Sequence, residues 1–182
     1  MKIRRVKKLV TGTRGSEIAE AALVFPVFFL VLLGIYSFGR AFNVYATINH
    51  AARQGARFAV AQSCATCGSP NIAPNADQVA GQVKQALQAS RLDPSQVSPV
   101  TGVTRTACGG GPAVSCQVST VDPHICVYYN VQLPISSPAG SGAPACGVSV
   151  QFQYPYQFAL PYTSLNMQKI MLNAGVQMTG EY

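Results

Sequence analysis

The chain has 182 residues, a formal net charge of +7 and a mean hydropathy of +0.21, which predicts one domain with a single core outside any membrane segment. The charge invites nucleic acid as a partner, but six of the thirteen basic residues (Lys2, Arg4, Arg5, Lys7, Lys8 and Arg14) precede Gly15, where no acidic residue lies. The remaining seven basic and six acidic residues leave no basic groove to supply the electrostatic part of binding, and nucleic acid is set aside.

The basic run is better read as a topogenic signal, because an apolar segment follows it. Ala21 through Gly39 are nineteen consecutive residues without a charge. As a helix they rise about 28 Å, close to the roughly 30 Å of a bilayer's hydrocarbon core. The positive flank predicts a single pass with the N-terminus cytoplasmic and the chain after Arg40 exported. A secretory signal peptide fits poorly. The apolar core is too long for one, and Arg40-Ala41-Phe42-Asn43-Val44-Tyr45 reads as more helix rather than a cleavage site. A plain uncleaved anchor explains the flank and the length but not Glu20. A carboxylate at the head of a spanning helix costs about 1 to 3 kcal/mol depending on depth, and usually has a partner or a role.

The pattern that accounts for Glu20 is that of a type IV prepilin: a short basic leader ending in Gly, then a hydrophobic helix with Glu as its fifth residue. Here Gly15 would end the leader, Ser16 would become the N-terminus, and the fifth residue is Glu20. The run G-S-E-I-A-E-A-A-L-V-F-P, the pair Gly39-Arg40 and A-A-R-Q-G-A-R-F-A at 51 to 59 resemble the TadE-like family, pilin-like proteins of the tight-adherence (Flp) pilus machinery. The likeness is closest over roughly residues 12 to 60 and recurs weakly at Met178-Thr179-Gly180-Glu181. Ala21 stands where those proteins usually carry an aromatic or bulky residue. The resemblance implies processing between Gly15 and Ser16 by a prepilin peptidase, and a role for Glu20 in assembly. It also implies an inner-membrane location and, as partners, other pilin-like subunits and the pilus assembly machinery.

From Arg40 to Gln62 there is no proline, so the helix is predicted to continue out of the membrane. Tyr45, Ile48, Ala52, Gly55 and Ala59 recur at three and four residues and define a packing face of mostly small side chains, while Arg53 and Arg57 share another face. One helix over residues 16–62 would reach about 70 Å. Pro26 and Gly34 are positions where it could bend within the bilayer. Cys64-Ala-Thr-Cys67-Gly-Ser-Pro ends it. Asn75 and Gln78 form a capping-box pattern opening a second helix to about Arg91, with Val79, Val83, Ala86 and Leu87 on its apolar side.

Beyond Asp93-Pro94 the period changes from 3.6 to 2. Val97 to Thr106 is a poor strand candidate. Val114, Cys116 and Val118 alternate with polar residues. Ile125, Val127, Tyr129, Val131 and Leu133 alternate with Cys126, Tyr128, Asn130 and Gln132, Val148 through Phe158 alternate with Ser149, Gln151, Gln153, Pro155 and Gln157, and Ile170, Leu172, Ala174, Val176 and Met178 give a last strand. Such alternation predicts antiparallel sheet with one buried and one wet face, laid against the exported half of the first helix. Gly109 to Pro112 reads as a turn, and Pro134 to Pro144 as a loop.

All six cysteines (Cys64, Cys67, Cys108, Cys116, Cys126 and Cys146) follow the membrane segment, as expected of an oxidising compartment, with fifteen pairings open. Cys64-Ala-Thr-Cys67 sits at a helix C-terminus, the wrong end of the dipole to lower a thiol pKa, and the chain has no Trp; structural disulfide is the better reading. His50 and His124 stand alone, so closed zinc spacing is absent. Asp77, Asp93 and Asp122 read as isolated, two of them being turn residues before proline.

The expected fold is therefore α+β and pilin-like: a leader at 1–15, a helix at 16–62 spanning the membrane at about 21–39, and an exported disulfide-containing domain at 63–182. The expected function is a minor pilin-like (pseudopilin) subunit for Flp pilus assembly, not an enzyme, with no cofactor and no metal. An uncleaved membrane-anchored binding protein is the alternative, and a membrane-tethered thiol oxidoreductase a distant one.

Overall fold

A computed structural model describes residues 13–61, 73–120, 123–136, 144–158 and 168–179. The first element, α1 (Thr13–Val60), is one 48-residue helix that runs through Pro26. At 1.5 Å per residue it is about 72 Å long. Arg57, in its last turn, complements the negative end of the helix dipole.

The second helix, α2 (Ala76–Ala89), starts where the capping box predicts. Asn75 Oδ1 accepts from the Gln78 amide at 2.9 Å, and Gln78 Oε1 accepts from the Asn75 amide at 3.1 Å. Two of the helix's orphan donors are thereby satisfied. Val79, Ala80, Val83 and Leu87 are buried against α1 and the sheet. Gly55 on α1 makes this approach possible: a Cβ there would collide with Val83 and touch Val79 and Val150. Asp93 then caps a 3-10 turn at Pro94–Gln96.

Two sheets follow. β1 (Arg105–Thr106) and β2 (Ala113–Val114) form a small hairpin, turned at Gly109 and Gly110, whose φ angles of 83° and 80° suit residues without a Cβ. β3 (Gln117–Val118), β4 (Cys126–Ser136), β5 (Pro144–Gln157) and β6 (Lys169–Thr179) make a four-stranded antiparallel sheet in the order β3-β4-β5-β6. α1 lies across β5 and β6. Pro155 is tolerated inside β5 because its nitrogen points away from β6. Gln153, two residues earlier, donates its N–H to Ser98 O at 2.8 Å on that same side, and the last β4 partner is opposite Gln151.

The α+β, pilin-like layout is as expected, and four details differ. The poor strand over 97–106 contributes a single bridge, Ser98 with Gln153, and the two residues of β1. The 114–118 alternation is split between β2 and β3. β4 continues past Pro134 to Ser136. Most consequentially, β4 does not keep one face. The pairs Tyr128 with Ser149 and Val131 with Gly147 bracket one extra residue, and Asn130 adopts φ 53°. This bulge reverses the alternation. Ile125, Val127 and Tyr129 face the core under α1, whereas Val131 and Leu133 join Cys126, Tyr128 and Ala145 in a second cluster on the opposite side.

The expected wet face is accordingly covered. Val114 and Cys116 pack on the second cluster, and Ser149 and Gln151 are buried there. Two disulfides fasten the cover, Cys108–Cys146 and Cys116–Cys126, closing separations of 38 and 10 residues. Bridges of this kind contribute about 2 to 4 kcal/mol each. Cys64, Cys67 and Asp122 lie outside the described residues.

Candidate functional site

The residues singled out by sequence for function lie on α1, which changes surroundings along its length. Ile18 through Leu32 are exposed throughout, as are Ile35, Tyr36 and Phe38. Among the described residues this is the one helix long and apolar enough to cross a membrane. In hydrocarbon its backbone groups are satisfied internally, which is why a helix is the form such a segment takes.

From Ser37 onward one face is buried. Ser37, Ile48, Ala51, Ala52, Gly55, Ala56 and Ala59 are buried, with Ala41 and Val44 half-buried between them, at steps of three and four. The predicted stripe is recovered except at Tyr45, which is 46 % exposed. Val44 takes its place, because the stripe drifts slowly round the helix and position 45 falls on the outer side. His50, Arg53 and Arg57 are exposed and line a shallow groove with Gln54, Phe58 and Ala61 on the face away from the sheet.

The predicted processing and assembly residues sit together at the start of the helix. Gly15 and Ser16 fall within its first turn. Glu20 follows about 6 Å further along the axis, on an exposed surface. The helix has already begun at Thr13, so the backbone passes Gly15 and Ser16 without a break.

Besides the shared core, tyrosine hydroxyls of the sheet, which sequence periodicity did not single out, bond the backbone of α1 and of the segments around α2 and before β1. Tyr156 donates to the Ser37 carbonyl at 3.2 Å and Tyr129 to the Pro74 carbonyl at 2.6 Å. Tyr154 accepts from the Asp93 amide at 3.3 Å, and Tyr128 donates to the Val103 carbonyl at 3.1 Å. At the Ser37 end three rings are in edge contact: Phe38 with Phe158 at 6.2 Å and Tyr156 with Phe158 at 5.1 Å.

Two polar clusters complete the frame. Asp77, read as isolated from sequence, accepts from Ser119 Oγ at 2.5 Å and the Thr120 amide at 2.8 Å, joining α2 to the end of β3. On the outer sheet face Arg105 lies between the carboxamides of Gln151 and Gln177; turned oxygen-first toward it, Gln151 accepts from its Nε at 3.1 Å and Gln177 from its Nη1 at 2.7 Å. Among the described residues no group of His, Cys, Asp and Glu could hold a metal ion.

Comparison with known proteins agrees with the helix. The family of TadE-like proteins matches residues 15–57, from the predicted leader boundary to the last turn of α1. No curated protein and no solved structure matches the chain.

Proposed function

We propose that this chain, TadE-like over residues 15–57, is a minor pilin-like subunit required to assemble a Flp-type pilus in tight adherence or secretion. The observation that carries the reading is the coincidence of the family match with a helix apolar on all sides at first and buried on one face later. A subunit with that helix can be held in the inner membrane by its first half. Its sheet domain is exported on the second half, with the N-terminus cytoplasmic. The work is mechanical rather than enzymatic. A prepilin peptidase cuts between Gly15 and Ser16, other pilin-like subunits pack against the exposed half of α1, and the assembly machinery engages the set.

Glu20 has a specific part in this reading. Cleavage creates an amine at Ser16, and within one chain that amine lies about a turn from the Glu20 carboxylate. The Glu20 of one subunit can instead pair with the new amine of its neighbour, which neutralises two charges in a poorly solvated setting and fixes the stagger between helices. N-terminal sequencing of protein extracted from producing cells should begin at Ser16. Glu20→Ala should insert normally yet lose crosslinks to other pilins and pilus-dependent adhesion, while Glu17→Ala, nearer the head groups, should change little. Unimpaired assembly in Glu20→Ala would overturn the role given to this residue.

A second reading, an uncleaved anchored binding protein, draws support from the unbroken helix through Gly15 and Ser16. Intact mass separates the two, since only the cleaved form lacks residues 1–15.

A further inference from the structure

Beyond the spanning segment, the exposed apolar surface does not stop where the charge-free run ends. On α1 it continues past Gly39 through Phe42 and Tyr45, 72 % and 46 % exposed. At the same height it crosses to the sheet. The hydrogen bond from Tyr156 to the Ser37 carbonyl fixes the end of β5 level with the helix at Ser37, and Phe158 meets Phe38 edge-on. Tyr156 is paired with Ile170 in β6, and the neighbouring pairs are Pro155 with Met171 and Gln157 with Lys169. Ile170 and Met171 are 45 % and 40 % exposed, so one end of the sheet presents apolar side chains beside the place where α1 leaves the hydrocarbon.

We infer that this end of the sheet domain is seated in the lipid head-group layer on the side where the span ends, with Phe158, Ile170 and Met171 at the acyl boundary, Arg40 at the phosphate level, and Lys169, one residue nearer the span than Ile170, extending its long stem back to the phosphates. Dimensions support it. From Phe38 to Tyr45 the helix rises about 10 Å. The polar layer on one side of a bilayer is about 5 to 8 Å deep, the region where tyrosine and phenylalanine rings gather and where cationic side chains reach phosphates. Arg40 and Lys169 are exposed there. The nearest acid fixed by contacts, Asp93, sits higher, where its amide meets the Tyr154 hydroxyl, and its carboxylate is engaged by Ser95 and Gln96. Apolar atoms continuous with a spanning helix and edged by cations match a lipid surface better than water. The domain would then stand at a fixed height and tilt instead of swinging on its helix.

The inference rests on α1 crossing the membrane, and one experiment tests the two separately. The chain contains no Trp, so single-Trp reporters need no background removal. Full-length protein carrying Val24→Trp, Ile170→Trp, Met171→Trp or Val118→Trp is placed in nanodiscs of mixed neutral and anionic lipid, with and without bromine near the head-group end of the acyl chains. Val24 lies in the span; Val118, also exposed, lies on β3, three strands from the helix end of β6 and level with Gly175. Val24→Trp and at least one of the Ile170 and Met171 reporters should lose most of their emission to brominated lipid, while Val118→Trp keeps its own. Quenching at Val24 with none at Ile170 or Met171 overturns the inference and leaves the span intact. No quenching at Val24 overturns the span itself. A blue-shifted but unquenched Ile170 or Met171 reporter identifies a protein neighbour at this surface and likewise overturns the lipid assignment.

Discussion

The two halves of α1 are one continuous helix in two different solvents. From Ile18 to Phe38 the side chains are large and almost all exposed, whereas from Ile48 to Ala59 the inward positions are nearly all Ala or Gly and buried. The first half needs no partner to be a helix, because lipid offers its backbone no alternative hydrogen bonds. The second half is held by close approach. Small residues let α2 and the sheet come near enough for Val79, Val83, Val150 and Phe152 to make one core with it. Identical backbone geometry is thus stabilised by opposite means, size without contact in one half and contact without size in the other.

The sharpest way to break this comparison is to add the same side chain to a glycine in each half. Gly55→Val forces carbon into space already occupied by Val83, and overpacking of that kind costs about 1 to 3 kcal/mol. The thermal midpoint of the sheet domain should fall clearly. Gly34→Val meets nothing within 4 Å and should leave that midpoint where it was. Equal effects at the two sites would mean the halves are not energetically distinct.

A smaller effect is expected at the boundary. Tyr156→Phe removes the hydroxyl that donates to Ser37 O, a loss of about 1 kcal/mol for one neutral hydrogen bond. The change should appear as faster amide exchange at the ends of β5 and β6, with the core strands unaffected. Uniform acceleration across the sheet would show that Tyr156 supports the whole fold rather than its attachment to the helix.

The smallest effect lies in the exposed turn after α2. Hydrogen bonds from the Ser95 side chain first, then its backbone, then Gln96, hold the Asp93 carboxyl below its ordinary value of 3.8. A depressed folded pKa contributes stability that is complete above the ordinary value and lost as pH falls through the lowered one. Asp93→Asn should therefore lower the melting temperature slightly near neutrality and flatten the acid limb of its pH profile, the variant and the parent converging in strong acid. A destabilisation that is the same in strong acid as at neutral pH would show that the turn depends on Asp93 for something other than its charge.

What could be read in advance follows from which interactions are local. The charge-free run Ala21–Gly39, the capping box at Asn75 and Gln78, and the alternation of β5 and β6 each depend on neighbours within a few residues, so the sequence alone determined them. The family likeness at 15–57 was legible for the same reason, since it resides in one contiguous helix. The reversal of β4 at Asn130 was not legible: a bulge shows itself only through the register of the partner strand. Nor was the covering of the outer sheet face, though a signal was present. The supposedly wet positions of β4 included Cys126 and Tyr128, residue types that favour burial. Choosing two pairings among the cysteines, bringing Asp77 to Ser119, and placing Ile170 beside the end of the span all required the chain to fold back over tens of residues. Local pattern determines what each segment is; only the tertiary structure, by bringing distant segments into contact, decided what each one faces.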